Sequence, residues 1–214
     1  MVYSVLRFIF IAILKSLFRY RVLGVENIPS EGGIIVAANH VSYWDPLVMG
    51  CGLPKTKIIH FMAKAELFKV PILGQIMTWG GSFPVRRGAA DRTAIRTAVA
   101  VLEKGDAFGI FPEGTRSKNG KLLPLQPGMA MIALKARVPI VPTAIIGTLK
   151  FSQGSLLPQL KVIYGKPVEA DSSKSDKENV EYLTNVVSHE ITRLLNVEAE
   201  CQKETASGKS NSIQ

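Results

Sequence analysis

The stretch GGIIVAANHVSYWDP, residues 32–46, changes character within a few positions. It begins as an uncharged apolar run, which predicts a strand buried on both faces. A turn follows at Val41–Trp44. Asp45 and Pro46 are then typical of a helix start, with aspartate as the N-cap and proline at the first helical position. The segment therefore predicts a strand, a turn and a short helix in direct succession.

The rest of the chain repeats this alternation. Strands are predicted in the segments KIIHFMA, DAFGIF, VPIVPTAIIG and LKVIYGKP, and helices in ADRTAIRTAVAVLEKG, PGMAMIALKAR and SDKENVEYLTNVVSHEITRLLN. Alternating strands and helices favour the α/β class: a single domain with a central mixed, mostly parallel sheet flanked by helices. The predicted boundaries are a membrane-interface helix at 1–22, the main domain at 23–197 and a disordered polar tail at 198–214.

Charge is distributed unevenly along the chain. The formal net charge is +9, but residues 168–214 carry nine acidic and five basic residues, so residues 1–167 carry a net charge of +13. Such a basic body suits an anionic partner, whether nucleic acid, anionic lipid, a phosphorylated substrate or an acidic carrier protein.

The N-terminal segment MVYSVLRFIFIAILKSLFRYRV favours lipid among these partners. Four basic residues interrupt it: Arg7, Lys15, Arg19 and Arg21. Its longest uncharged run after Arg7, Phe8–Leu14, falls well short of the ~20 residues that cross a bilayer. On a helix the bases share one sector of about 160°. Apolar residues fill the opposite side: Val2, Leu6, Ile9, Phe10, Ile13 and Leu17.

This pattern predicts an amphipathic helix that lies in the membrane interface with its basic edge towards anionic headgroups. Two alternatives are a signal peptide and a helix of the protein core. A signal peptide is not favoured, because no small-residue cleavage site follows the apolar stretch.

His40 and Asp45 are the first candidates for catalysis. On one continuous helix a separation of five residues would place them about 140° apart, so they meet only if a turn lies between them. The sequence supplies that turn. A carboxylate that accepts a hydrogen bond from one ring nitrogen raises the basicity of the other, and His40 then becomes a general base. The alternative is that Asp45 only caps its helix.

Two arginine-bearing loops suggest a phosphate on the substrate. FPEGTRS, residues 111–117, follows a predicted strand and contains Arg116; backbone N–H groups in such a loop, with an arginine, form a phosphate cradle. PVRRG, residues 84–88, adds a basic pair. For both loops the alternative is a solvated surface turn with incidental arginines.

Several classes of protein are not indicated. GxSxG, HExxH, GxGxxG and the P-loop pattern are missing, and neither Cys51 nor Cys201 lies in a CxxC context. We therefore expect no metal and no bound cofactor. A nucleic-acid partner is not expected either, because Trp44 and Trp79 lie in turn or apolar contexts and not on a basic face.

Four blocks occur in the order NHVSYWDP, GGSFPVRRG, FPEGTRS and VPIVPTAI. In this order they resemble the glycerolipid acyltransferase family, over roughly residues 20–168. The best-known members of that family are the 1-acyl-sn-glycerol-3-phosphate acyltransferases. HxxxxD alone is a weak signal, but HxxxxD followed by EGTR after a strand is a strong one.

The resemblance implies roles for individual residues. His40 matches the catalytic base and Asp45 the carboxylate that orients it. Substrate-binding positions are matched by Lys64, Arg87, Glu113, Gly114, Thr115 and Arg116, and the less settled fourth block by Pro139 and Pro142. Arg86 stands where many members have aspartate, which adds positive charge beside the site.

The implied reaction transfers an acyl chain from acyl-carrier protein or acyl-CoA to the sn-2 hydroxyl of lysophosphatidic acid, giving phosphatidic acid. Alternatives are another acceptor, such as glycerol-3-phosphate, another lysophospholipid or an aminoacylated lipid, and a catalytically inactive membrane-binding adaptor. The expected location is monotopic, at the cytoplasmic face of the cell membrane, on an anionic lipid surface.

Overall fold

A computed structural model describes residues 2–85 and 92–208, with side chains described to residue 199. The strands are β1 (Arg21–Leu23), β2 (Ile34–Ala38), β3 (Ile59–Lys64), β4 (Phe83–Val85), β5 (Ala107–Ile110), β6 (Ile140–Ile146) and β7 (Lys161–Tyr164). The helices are α1 (Val2–Phe18), α2 (Asp45–Gly52), α3 (Leu73–Trp79), α4 (Arg92–Glu103), α5 (Gly128–Ala136), α6 (Leu149–Ser152) and α7 (Asp176–Gly208).

The strands form one sheet in the order β1-β7-β6-β2-β5-β3-β4. Every pairing is parallel except β6 with β7, which is antiparallel. The predicted α/β domain with a mixed, mostly parallel sheet is confirmed. The sequence patterns missed β1, β4, α3 and α6, which are too short to show a clear period.

The core lies on both faces of β2, whose five residues are all buried. Ile34, Val36 and Ala38 pack into a cluster that includes Leu14 of α1 and Val48 of α2. Ile35 and Ala37 pack on the other face with residues of α4, α5 and α7. Burial on two faces explains why this strand is a continuous apolar run and not an alternating one.

The predicted N-terminal segment needs three corrections, of which the boundary and the position of Arg7 come first. Its helix ends at Phe18, and Arg21 and Val22 belong to β1, so the boundary at residue 22 is wrong. Arg7 does not lie on an exposed basic edge: its guanidinium turns towards the protein and donates hydrogen bonds to the carbonyls of Leu53 and Pro54, just after α2. Lys15 and Arg19 are exposed.

A stripe of apolar side chains on α1 is exposed: Val2, Val5, Phe8, Ile9, Ile13 and Leu17. The opposite side of α1 packs on the protein through Phe10, Leu14 and Phe18. Phe10 therefore lies on the packed side and not, as the helical wheel predicted, on the outer one. Within the described residues, no helix is both long and apolar enough to cross a membrane.

The C-terminal prediction also changes. The predicted last helix is confirmed, and its residues Leu183, Val187 and Ile191 are buried. However, α7 continues to Gly208, so disorder from residue 198 is wrong for 198–208. Glu198 is buried, and its Oε1 lies 2.5 Å from Nζ of Lys161 in β7. This contact with a distant strand stabilises a turn of helix whose polar composition alone suggested disorder.

Candidate active site

The candidate residues gather at the carboxyl edge of the sheet. β2 pairs in parallel with both β5 and β6, so the segments that follow β2 and β5 leave the same edge side by side. One of these segments is the turn at residues 39–44, and the other is the loop that begins at Phe111. Such edges of parallel sheets are where α/β proteins place their ligands.

His40 and Asp45 meet as the spacing requires. Nδ1 of His40 lies 2.8 Å from Oδ2 of Asp45, which is completely buried. The same Oδ2 accepts hydrogen bonds from the backbone N–H groups of Val41 and Ser42, each at 2.7 Å. A carboxylate against Nδ1 favours the tautomer that carries its proton there, which leaves Nε2 free to accept a proton.

The expected cap geometry is different in detail. Trp44 is the N-cap of α2 and Asp45 is its first helical residue, with Pro46 next. The carboxylate of Asp45 bonds to the turn that precedes the helix, so it closes the turn around His40. Its other oxygen, Oδ1, is buried without a hydrogen-bond partner among the described residues.

The loop after β5 holds the backbone of His40 on both sides. The N–H of His40 donates to Oε1 of Glu113 at 2.6 Å, and its carbonyl accepts from the N–H of Ser117 at 2.8 Å. The imidazole stacks on the ring of Phe111, with centroids 4.1 Å apart and planes inclined by 17°. The ring is therefore fixed by its neighbours before any substrate arrives, since stacked rings and paired backbone groups leave few alternative rotamers.

Glu113 takes a different place from the one implied by the resemblance. Its side chain is buried, and Oε2 accepts a hydrogen bond from the N–H of Leu123 at 2.8 Å. Burial raises the pKa of this carboxyl, while the hydrogen bonds from Leu123 and His40 act in the opposite direction. Both oxygens thus serve backbone donors. The geometry describes a brace between the His40 turn and the 120s loop and does not present a free carboxylate to a substrate.

Arg116 lies beside the His40–Asp45 turn. Its guanidinium carbon is 3.6 Å from the ring centroid of Tyr43, and Nη2 donates to the Tyr43 hydroxyl at 2.9 Å. Both side chains are exposed, so a cation is held at the mouth of the site and stays accessible. A guanidinium in such a position is suited to a phosphate.

Two backbone N–H groups of this loop, predicted to form a phosphate cradle, take part in internal hydrogen bonds. The N–H groups of Gly114 and Ser117 are already bonded to the carbonyls of Phe111 and His40. Gly114 has φ +70°, a conformation that favours glycine, and both Gly114 and Thr115 are exposed. An anion here would have the exposed side chain of Arg116 as a charged donor.

The remaining predicted positions are Lys64, the arginine pair of the second block and the prolines of the fourth block. Lys64 is exposed at the end of β3, which β5 separates from β2. Arg86 and Arg87 lie outside the described residues. In the fourth block, Pro139 precedes β6 and its carbonyl accepts from the N–H of Ile35 at 3.0 Å, while Pro142 is buried within β6. These two prolines have packing positions in the centre of the sheet.

The imidazole of His40 has no hydrogen bond to a nucleophilic side chain among the described residues. In the part of the chain that the structure describes, no serine or cysteine side chain is hydrogen-bonded to the imidazole of His40. Cys51 is buried in α2, and burial raises the pKa of its thiol to about 11, so it stays protonated near neutral pH. Ser42 lies in the turn, where its Oγ accepts from the N–H of Trp44 at 3.3 Å.

Three contacts at the site were not predicted from the sequence. They are the stacking of Phe111, the support of Arg116 by Tyr43, and the anchoring of Asn39. The amide of Asn39 bonds to both the N–H and the carbonyl of Ile145, at 2.8 and 3.0 Å, and so fixes the end of β2 to β6. All three residues stand inside blocks already singled out, yet their partners are far away in sequence, and no local pattern reveals them.

Comparison with known proteins agrees with this geometry. A family model described as "Acyltransferase" matches residues 19–146. The chain belongs to this acyltransferase family. The acyltransferase match includes the His40 turn and the Arg116 loop and ends at the last residue of β6, so α1 and α7 lie outside it.

Named members of the acyltransferase family are similar over most of the chain. A 1-acyl-sn-glycerol-3-phosphate acyltransferase of Bacillus subtilis (strain 168) is 32% identical over 178 residues, which cover 82% of this chain and 88% of the relative. One of the same name from Streptococcus pneumoniae is 31% identical over 172 residues, covering 79% of this chain and 63% of the relative.

A solved structure of the family matches in three dimensions. The crystal structure of the 1-acyl-sn-glycerophosphate (LPA) acyltransferase PlsC from Thermotoga maritima has a TM-score of 0.70 and 29% sequence identity, and covers 90% of this chain and 80% of its own.

Proposed function

We propose that this protein transfers an acyl chain from an acyl thioester to the sn-2 hydroxyl of 1-acyl-glycerol-3-phosphate, giving phosphatidic acid. The observation that carries the proposal is the His40–Asp45 pair: a histidine whose tautomer is fixed by a buried carboxylate at 2.8 Å, with no protein nucleophile bonded to its ring within the described residues. The nucleophile then comes from the substrate. The relatives, which are named 1-acyl-sn-glycerol-3-phosphate acyltransferases, support the lysophosphatidate acceptor.

The chemistry proceeds in one step. His40 Nε2 takes the proton of the acceptor hydroxyl while that oxygen attacks the carbonyl carbon of the thioester. A C–O ester bond forms, the C–S bond breaks, and the proton returns from His40 to the leaving sulfur. The products are phosphatidic acid and a free thiol, and no acyl-enzyme is formed. A positioned general base of this kind contributes roughly 10²–10⁴ in rate.

Arg116 binds the phosphate of the acceptor in this proposal. Its guanidinium is exposed and is held beside the His40–Asp45 turn by Tyr43. Binding the phosphate there places the acceptor near His40 and converts the encounter into an oriented reaction. The donor is acyl-carrier protein or acyl-CoA, and the basic body of the chain suits either of these anionic donors.

The acceptor reaches the site from a membrane. The exposed apolar stripe on α1 supports this part of the proposal, because apolar surface on a helix with basic residues at its edge favours an anionic bilayer. Lys15 and Arg19 supply that basic edge. The protein is then monotopic, at the cytoplasmic face of the cell membrane.

A substrate panel tests the reaction. Purified protein is assayed with lysophosphatidate, glycerol-3-phosphate and other lysophospholipids, each with acyl-carrier-protein and acyl-CoA donors. We expect the highest kcat/KM with lysophosphatidate. Faster turnover of glycerol-3-phosphate would give the same chemistry another acceptor, and vesicle binding without any acyl transfer would favour an inactive adaptor.

The proposed binding of α1 to a membrane is tested by substitution and not by deletion. Removing α1 would expose the core around Leu14, so a deletion would confound folding with binding. The double variant Phe8→Asp, Ile9→Asp changes only the exposed stripe. It should sediment far less with vesicles that contain anionic lipid, while full vesicle binding would contradict the proposal.

A further inference from the structure

Two leucines on the turn after α6 are exposed to solvent, although their side chains are apolar. Leu156 is 86% exposed and Leu157 is 62% exposed. The pair lies between β6 and β7, far in sequence from the apolar stripe of α1. Adjacent leucines displayed in this way indicate contact with an apolar partner.

The turn is held in place at both ends. The N–H of Ser155 donates to the carbonyl of Lys150 at 2.9 Å, and Gly154 has φ +85°, as a tight reversal requires. After the leucines, Pro158 and Leu160 are buried, and the N–H of Leu160 donates to the carbonyl of Phe18 at 3.0 Å. The two leucines are therefore exposed on a turn whose two ends are anchored to the protein.

The helix that directly precedes the turn, α6, lies between the end of α1 and the active site. The ring of Phe151, in α6, lies 5.4 Å from that of Phe18 and 5.4 Å from that of Trp44, measured between centroids. Trp44 is the N-cap of α2 in the His40–Asp45 turn and is 47% exposed. A row of aromatic rings thus connects α1, the helix α6 that directly precedes the leucine turn, and the turn that contains His40.

We propose that the turn Gly154–Leu157 is a second membrane-insertion element, with an anionic bilayer as its partner. The inference rests on the proposed function in one respect, that the acceptor is taken from a membrane. The apolar tip is flanked by the exposed cations Lys150 and Arg19, which suit anionic headgroups. Its neighbour Trp44 is of the residue type that settles at membrane interfaces.

Two insertion points fix an orientation that one helix alone does not. A single amphipathic helix can roll about its axis in the interface, whereas a helix and a separate turn define a plane. Contact at the leucine turn places Trp44, and with it the mouth of the His40 site, against the lipid. The alternative orientation uses the exposed residues of α3, such as Leu73 and Ile76, beside the opposite edge of the sheet.

Vesicle binding of a double variant tests the proposal. Leu156→Asn, Leu157→Asn removes the apolar tip without changing the charge, and Val197→Asn, at a 53% exposed position on α7, is the matched control. We expect the double variant to bind phosphatidylcholine–phosphatidylglycerol vesicles at least about tenfold more weakly than the wild type, and the control to bind normally. Unchanged binding of the double variant would overturn the proposal.

A water-soluble, short-chain lysophosphatidate separates this proposal from the proposed function. The double variant should acylate that acceptor at the wild-type rate and lose rate only on long-chain acceptor in vesicles. If the wild type does not acylate the soluble acceptor, the proposed reaction fails. If the double variant acylates vesicle-borne acceptor as fast as the wild type, the proposal that this turn inserts into the membrane is wrong.

Tryptophan fluorescence distinguishes the two orientations. The chain has two tryptophans, so Trp79→Phe reports on Trp44 and Trp44→Phe reports on Trp79 in α3. With vesicles of brominated lipid, we expect strong quenching of Trp44 and weak quenching of Trp79. The reverse would place α3 in the membrane and contradict the proposal.

Discussion

The surroundings of His40 and the outer face of α1 differ in what they bury. Around His40, the carboxylates of Asp45 and Glu113 are buried and accept hydrogen bonds. Along α1, Phe8 is 72% exposed and has apolar neighbours that are exposed as well. Buried charges are unfavourable unless they are hydrogen-bonded, and exposed apolar stripes need a partner. The first region pairs most of its buried polar atoms within the chain, the Oδ1 of Asp45 excepted, whereas the second leaves apolar side chains exposed, and we propose a membrane as their partner.

The largest expected effect comes from Asp45→Asn. Asparagine is neutral and no longer selects the tautomer of His40, so we expect kcat to fall about a thousandfold. The steady-state kcat of the folded variant measures this. Asp176→Asn, at an exposed position in the first turn of α7, is the control and should leave kcat unchanged. A kcat of Asp45→Asn within threefold of the wild type would show that the buried carboxylate does not act through His40.

Glu113→Gln tests the brace behind the site. Both partners of Glu113 are N–H donors, and a glutamine must turn its NH₂ group towards one of them. We expect the free energy of unfolding to fall by about 1–3 kcal/mol, measured by urea denaturation, and kcat to fall with it. Glu103→Gln on α4, an exposed position, should change neither. An unchanged unfolding curve for Glu113→Gln would return this residue to the substrate-binding role implied by the resemblance.

Arg116→Ala separates binding from chemistry. Loss of a charged hydrogen-bond donor to phosphate should raise KM for the acceptor by about 10- to 100-fold, with a smaller change in kcat. Arg193→Ala, at an exposed position on α7, is the control for lost positive charge. A variant in which kcat falls while KM stays constant would place Arg116 at the reacting atoms and not at the phosphate.

Arg7 and Lys15 give the sharpest contrast within α1. Arg7→Met removes the hydrogen bonds to the carbonyls of Leu53 and Pro54 and should lower the free energy of unfolding by about 1–3 kcal/mol. Lys15→Met lies on the exposed edge and should leave stability unchanged, but weaken binding to anionic vesicles by about fivefold. If the two variants exchanged these effects, the outer and inner faces of α1 would be wrongly assigned.

The sequence predicts a contact well where the partners are close in the chain. His40 and Asp45 are five residues apart, and a strand, a turn and a helix start between them leave few ways to arrange the pair. Arg7 lies 46 residues from Leu53, and Glu113 lies 73 from His40, so periodicity and spacing carry no information about these contacts. The helical wheel therefore placed Arg7 on a basic edge that faces lipid headgroups, and the resemblance placed Glu113 at the substrate.

Contacts between residues far apart in sequence also explain why the predictions for the two ends of the chain were partly wrong. Polar composition beyond residue 197 predicts disorder, but the buried pair Glu198–Lys161 connects α7 to β7 and extends the helix. The parallel sheet was predictable because its strands are continuous apolar runs separated by amphipathic helices. The strand β1 was not, because its three residues pair with a strand far along the chain and show no alternation of their own.

The central claim is that His40 is the base and that the substrate supplies the nucleophile. Its most direct test is the turnover of His40→Ala with lysophosphatidate and an acyl thioester, at saturating concentrations of both. We predict a loss of about 10²–10⁴ in kcat, with folding and vesicle binding unchanged. A variant that turns over at the wild-type rate would contradict the assignment of His40 and, with it, the proposed mechanism.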